Sequence, residues 1–416
     1  MPASSRRRFV SGTIALATLA ALAFNPFGES ARSRVFAADA KTIKIGIDLP
    51  LSGGDASSNI PTENGVLLAI DEANAEGLPH GYKVTAYALD DSVQGKHDPA
   101  QGAQNVRTLI ADADVLAMIG PGNSNVAKAE IPLTNAAGLV QIAASTTADG
   151  LTLGLDAAKL RAAHPDVNTF FRLSSLDSRQ GAAGAAFAKK LGLFKAFIID
   201  DNETYGKGVA DVFEQQFAAH GGKVLGHEHL TPAQNDFTPL LTKVRATGAD
   251  VIYFGGVSVT GGGLLRHQQV SNGLGTLPML GADGLAGGDF LQAAGAAADG
   301  AYYTLAAPDV TRLPGAARFL QSYRARFKAD PGPYSANGYA AAKIIIAAIS
   351  KALVAGNGVV PTRAQVLKNV AETKDFPTPV GALGFDKNGD TTAPILSLYE
   401  ITGGKPEFIN QIDLKN

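Results

Sequence analysis

No cysteine occurs among the 416 residues. That excludes disulfides, a thiol nucleophile, Cys-ligated zinc and any lipid attached through Cys. A core of this size needs no covalent staples, so the absence is compatible with an oxidising compartment. Charge is also sparse: charged residues make up 18% and the formal net charge is -2. Outside the amino terminus there is no Lys/Arg cluster, so no surface for nucleic acid is expected. Catalytic signatures are missing as well. There is no G-x-S-x-G elbow around Ser124 or Ser258, no Gly-Lys-Ser/Thr phosphate loop and no H-E-x-x-H. In Asp386-Lys387-Asn388-Gly389-Asp390 the Gly is misplaced for a calcium loop and Ser397 stands where Glu is needed, so a hairpin turn is expected there. No cofactor is expected.

A hydrophobic share of 45% describes a globular chain able to bury a full core, and its length points to two domains. Arg6, Arg7 and Arg8 precede the apolar run from Phe9 to Phe24, and Ala38-Asp39-Ala40 supplies small residues in an A-x-A pattern. Residues 1–40 therefore read as an export signal cleaved near Ala40, and the Arg pair before Phe9 resembles the twin-arginine type. Periplasmic localisation is the expectation. Cleavage would remove Arg32 and Arg34 with the other three Arg, along with Glu29 and Asp39, leaving a more acidic product.

From Lys41 onward β-rich runs alternate with helix-period segments. Strands are expected over 42–49, 83–89, 115–119 and 139–143, with helices over 64–74 and 100–110. After Phe170-Phe171-Arg172 a second series begins. Its expected helices cover 180–191, 208–220 and 237–246, and its strands 196–199, 223–229, 251–254, 278–281 and 301–304. This alternation predicts an α/β fold of two doubly wound, Rossmann-like lobes with parallel sheets covered on both faces. Pro331-Gly332-Pro333 precedes a long apolar core helix over 336–353, and the tail returns to β character at 384–386 and 395–399.

Two strands end in hydroxyl-bearing turns. The first, 115–119, runs into Gly120-Pro121-Gly122-Asn123-Ser124, and the second, 139–143, into Ser145-Thr146-Thr147. In an open parallel sheet both turns face the crevice beyond the strand carboxyl ends. Ser124 falls at a helix start, where free N–H groups favour an anion such as a carboxylate. Helix capping and ordinary turn chemistry are the alternative reading for these residues.

In order, the chain carries Ile43-Lys44-Ile45-Gly46-Ile47-Asp48-Leu49-Pro50-Leu51-Ser52-Gly53, Asp90-Asp91, Gly120-Pro121 with Ser124, Ser145-Thr146-Thr147, Thr204-Tyr205-Gly206-Lys207-Gly208, Asp236-Phe237, Tyr253-Phe254-Gly255-Gly256 and Gly281-Ala282-Asp283-Gly284. In this it resembles the branched-chain amino acid (Leu/Ile/Val-binding) family of type I periplasmic substrate-binding proteins, the receptors of ABC importers. The resemblance implies a Venus-flytrap molecule with an amino-terminal lobe of residues 41–174 and 307–377 and a carboxyl-terminal lobe of 175–306 and 378–416. The chain would cross between them near Ser174–Asp177, Thr304–Pro308 and Phe376–Gly381. It implies no enzymatic activity, and a monomer that delivers a small amino acid or related carboxylate to an inner-membrane permease with its ATPase subunits.

Site roles follow from the same resemblance. Ser124 matches the hydroxyl that binds the ligand carboxylate, helped by backbone amides near Ser145 and Thr147. The Ser145 carbonyl and Thr147 hydroxyl match groups that meet the ammonium. Asp283 matches an acidic residue, usually Glu, that neutralises it, and Tyr205 matches an aromatic that covers the ligand. Ser58 and Val257 stand where leucine-binding members often carry aromatics, which reshapes the side-chain pocket. A soluble ligand sensor of the same fold, a binder of a non-amino-acid carboxylate or amide, and a hydrolase using Ser124 or Ser145 are the alternatives. Asp90 and Asp91 read as solvated or capping carboxylates. His227 and His229 share a strand face, but no third metal ligand is evident from sequence, so no metal is expected.

Overall fold

The protein is described by a computed structural model over residues 41–413. The expected export signal lies outside the described residues.

Strands β1 (Thr42–Leu49) and β2 (Lys83–Asp90) pair in parallel, followed by the small hairpin of β3 (Ser92–Val93) and β4 (Lys96–His97). Strands β5 (Val115–Ile119), β6 (Val140–Ala143) and β7 (Phe170–Arg172) complete a five-stranded parallel sheet in the order β2-β1-β5-β6-β7. Alternate residues Ile43, Ile45, Ile47 and Leu49 are buried, and β5 is buried along its whole length. Burial on both faces is what a helix-covered parallel sheet requires.

The second sheet repeats the plan. Strands β8 (Lys195–Asp200), β9 (Lys223–His229), β10 (Val251–Gly255), β11 (Met279–Gly281) and β12 (Ala301–Leu305) run parallel in the order β9-β8-β10-β11-β12. After a short hairpin of β13 (Phe376–Thr378) and β14 (Gly381–Leu383), strands β15 (Ile395–Thr402) and β16 (Lys405–Asp413) add antiparallel to the β12 edge. In each sheet the strand order reverses once, between β1 and β5 and between β8 and β10. Ligands collect beyond the carboxyl ends at such reversals.

Several boundaries differ from the sequence expectation. The helix expected over 64–74 runs from Ala56 to Glu76 and contains Pro61. Ser57, Ser58, Asn59 and Pro61 are weak helix formers, but this turn is held from outside, where the Tyr323 hydroxyl donates to the Pro61 carbonyl at 3.1 Å. Further along, the helix lies so close to Ser335–Ala355 that a Cβ on Gly65 would sit 2.0 Å from the Ser335 carbonyl oxygen. That second helix is the expected apolar one, and it is core: Ala340, Ala341, Ile345, Ile349 and Leu353 are buried in the same hydrophobic cluster as the β1 residues.

The expected strand over 384–386 is only a single bridge, Phe385 to Thr391. Backbone bonds join Asp386 to Asp390 and Thr392 to Gly384, but Asp386 Oδ1 accepts from the amides of Asn388 and Asp390 at 2.8 and 2.9 Å, so a side chain takes an amide that a longer ladder would use. Asp91 departs from the solvated reading: it is fully buried, neither carboxylate oxygen has a hydrogen-bond partner, and burial pushes its pKa up to about 9. Asp90 caps no helix: its Oδ1 accepts from the amides of Leu51 in the loop after β1 and Ser92 in β3, at 2.9 Å each.

One buried cation ties distant segments. Arg172 donates to Asp390 Oδ1 at 2.6 Å and to the Ala148 carbonyl at 2.8 Å, and also contacts the Thr152 hydroxyl. Val380, Leu383 and Phe385 pack in the same core as β1.

Candidate functional site

The carboxyl ends of β1, β5 and β6 and those of β10 and β11, together with the turns that follow them, open onto one crevice of about 610 Å³, part of it open to solvent. Its lining brings together Ser58, Ser124, Ser145, Thr147, Tyr205, Val257 and Asp283, all singled out from sequence. Thr146 is not among the lining residues. It is buried behind the turn, where its carbonyl accepts from the Ser174 hydroxyl at 2.7 Å.

The two turns bind each other. Ser145 Oγ donates to the Gly122 carbonyl at 2.9 Å, and Ser124 Oγ accepts from the amides of Thr147 and Ala148 at 3.3 and 3.2 Å. Ser124 is the first residue of the helix Ser124–Ala137, and Asn123 is the N-cap. With its lone pairs engaged by two amides, the Ser124 hydroxyl keeps its proton for a further acceptor. The Thr147 amide, which the family resemblance assigns to a ligand carboxylate, is directed to Ser124 Oγ. Gly120 allows this turn: its φ is +127°, and a Cβ there would lie 2.0 Å from the Asp48 carbonyl oxygen.

The opposite wall is acidic. Asp283 Oδ1 accepts from the Tyr205 hydroxyl and from Gln180 Nε2, both at 2.7 Å, and Oδ2 accepts from the Tyr334 hydroxyl. Burial raises the Asp283 pKa, opposed by the hydrogen bonds from Tyr334, Gln180 and Tyr205. The Tyr205 oxygen also accepts from the Gly284 amide at 2.8 Å. Val257 reaches the same wall because the turns after β10 and β11 pack backbone to backbone: a Cβ on Gly284 would lie 2.1 Å from the Gly256 carbonyl oxygen.

Asp55 and Asp289 add two more carboxylates to the lining, and no Lys, Arg or His is among it. Asp289 is pushed up to about 6 by burial, against the hydrogen bond from Ser58. Beside the crevice, buried His97 stands between Asp55 Oδ2, 2.8 Å from Nδ1, and Glu203 Oε2, 2.9 Å from Nε2. Burial alone would lower its pKa, but the hydrogen bonds to Asp55 and Glu203 raise it to about 10. Asn125 Nδ2 also donates to Glu203 Oε2, at 2.9 Å.

Asp55, Asn59, Ala286, Asp289, Pro333 and Tyr334 line the crevice without having been singled out from sequence. A local signal existed for Tyr334, an aromatic between Pro331-Gly332-Pro333 and a long helix. Asp289 follows a Gly pair in the same way as many turn residues, and nothing local distinguishes it.

The family model described as periplasmic binding protein matches residues 42–405. Leu/Ile/Val-binding protein BraC3 of Rhizobium johnstonii is 28% identical over 399 residues, covering 94% of this chain and 98% of that protein. Leu/Ile/Val-binding protein homolog 3 of Brucella melitensis is 28% identical over 365 residues, covering 87% of this chain and 92% of its own length. Among solved structures, the branched-chain amino acid transporter substrate binding protein LivJ from Streptococcus pneumoniae, in complex with isoleucine, superposes with a TM-score of 0.78 at 27% identity. That match covers 90% of this chain and all of the other.

Proposed function

We propose, from the premise that this chain belongs to the periplasmic binding protein family, that it is the solute-binding component of an ABC importer and takes a small α-amino acid, branched-chain or related. The observation that carries this reading is the polarity of the crevice. Asp283 and Asp289 supply an acidic side suited to an ammonium group, with no basic side chain in the lining to compete for them, while Asp55 beside them is paired with His97. Ser124, at a helix start and held by the Ser145 and Thr147 turn, keeps a hydroxyl proton suited to a carboxylate. Both ends of a zwitterion are thereby matched.

In this reading Ser124, Ser145 and Thr147 hold the ligand from one lobe, and Tyr205, Asp283 and Val257 from the other, with Ser58 shaping the side-chain pocket beside Val257. Thr146 acts only by placing its neighbours. The lobes divide as residues 41–174 with 307–377 and 175–306 with 378–416, except that the packing of Val380, Leu383 and Phe385 favours a third crossing between Thr391 and Ile395. Ligand contacts made by both lobes favour the shut form, which a permease can read. Export to the periplasm by the amino-terminal signal, a monomeric state and the absence of enzymatic turnover belong to the same proposal.

A thermal-shift screen of α-amino acids, short carboxylates, amides and aromatic acids tests it, because a ligand that binds only the folded chain raises the melting temperature. Branched-chain or other small amino acids should give the largest shifts. Shifts confined to acids or amides without an ammonium group would replace the amino acid reading.

A further inference from the structure

Asp200, the last residue of β8, and His227 and His229 on the edge strand β9 stand outside the crevice lining. The β8–β9 register sets Ile198 beside His227 and Asp200 beside His229. Because strand side chains alternate, both imidazoles lie on the same face, with ring centroids 5.1 Å apart. Asp200 meets both rings: its Oδ2 lies 2.7 Å from His227 Nε2, and its two oxygens lie 2.9 and 2.8 Å from His229 Nδ1. The other nitrogen of His227, Nδ1, lies 2.7 Å from Glu214 Oε2 on the helix Thr204–Ala219.

A neutral imidazole has one N–H, yet His227 faces a carboxylate oxygen at each nitrogen. The second contact requires a positive centre there, either a further proton or a metal ion. The surroundings suit the ion. The Asp200 oxygens lie 2.7 to 2.9 Å from His227 Nε2 and His229 Nδ1, inside the span of about 4 Å open to two ligands that are each ~2 Å from one ion, and the three donor groups lie within 4.8 Å of one another. Glu214 stands where a carboxylate orients a metal-ligating imidazole through its other N–H. Asp211, which could compete for His227, is held by Lys207 at 2.5 Å. Asp200 is fully buried and fixed by the Asn202 amide at 2.7 Å, while His229 is exposed and leaves a path for entry.

We propose that Asp200, His227 and His229 bind a divalent transition-metal ion of the zinc class, with Glu214 positioning His227 and solvent completing the coordination. Two imidazoles and a carboxylate suit zinc, and they do not suit magnesium or calcium, which take oxygen ligands.

The test is a Zn2+ titration of the untagged, chelator-stripped protein against a chromophoric competitor, repeated with Co2+ to read its visible absorption. One tight equivalent and tetrahedral cobalt bands are expected. His227→Ala and His229→Ala should lose that equivalent, and Glu214→Gln should weaken it by about 10- to 100-fold. His220→Ala, outside the cluster, should leave it unchanged. Circular dichroism and the amino acid thermal shift check folding, and the exposed swap His229→Gln serves if an alanine variant fails to fold. No tight equivalent in the wild type, or wild-type affinity retained in both His229 variants, would overturn the proposal and leave His227 doubly protonated between two carboxylates. The crevice reading would stand either way.

Discussion

Ser58 donates its hydroxyl to Asp289 Oδ1 at 2.9 Å, although 231 positions of chain separate them. One residue belongs to the helix that covers the first sheet, the other to a helix of the second. The contact therefore bridges the crevice. A hydrogen bond to an ionised partner contributes about 1.5–3 kcal/mol, and Asp289 ionises only as pH rises through about 6. Ser58→Ala should weaken amino acid binding, and isothermal titration should find the loss larger well above that pH than below it.

Asp283→Ala should cost an amino acid ligand about 2 kcal/mol or more, roughly 30-fold in affinity, and cost the matching deaminated acid much less. Tyr205 and Tyr334 would also lose their shared acceptor, so the fold is checked by urea denaturation. Equal losses for both ligands would dismiss the ammonium contact.

Ser124→Ala leaves the amides of Thr147 and Ala148 without their acceptor. A stability loss of about 1–3 kcal/mol is expected, together with weaker binding of every ligand that carries a carboxylate. A loss of stability with affinity unchanged would reduce Ser124 to a brace between two turns.

His97 supplies a pH dependence. Its folded pKa of about 10 lies above the usual 6.5, so its contribution to stability is complete below 6.5 and is lost as pH rises through about 10. The stability advantage of wild type over His97→Gln, from urea midpoints at a series of pH values, should shrink across that window. A constant difference would mean that the imidazole is neutral in the fold.

Periodicity made the sheets legible because both are buried on two faces, so that β1, β5, β8 and β10 read as short apolar runs. The crevice turns were legible for a related reason: strands that end in Gly-Pro-Gly-Asn-Ser or Ser-Thr-Thr advertise a loop with free donors. Asp289 and Asp55 were not, because their roles come from segments far apart in the chain that only folding juxtaposes; Tyr334 carried a local signal in the Pro-Gly-Pro break before a long helix, but not its partner Asp283. The third partner of His227 and His229 was hidden in the same way. Asp200 lies a strand away, and parallel register across a β-α-β crossover is not written in local spacing. The strand expected at 384–386 failed for a local reason, since the Asp386 carboxylate binds the backbone that a ladder would have used.

Arg172 fastens the Ala148 carbonyl, behind the crevice turn, to Asp390 in the returning segment of the chain. The stretch that presents Thr147 therefore shares its anchorage with residues synthesised more than two hundred positions later. A lesion near Asp390 should then masquerade as a recognition defect: solute capture would fade although every group facing the solute keeps its identity.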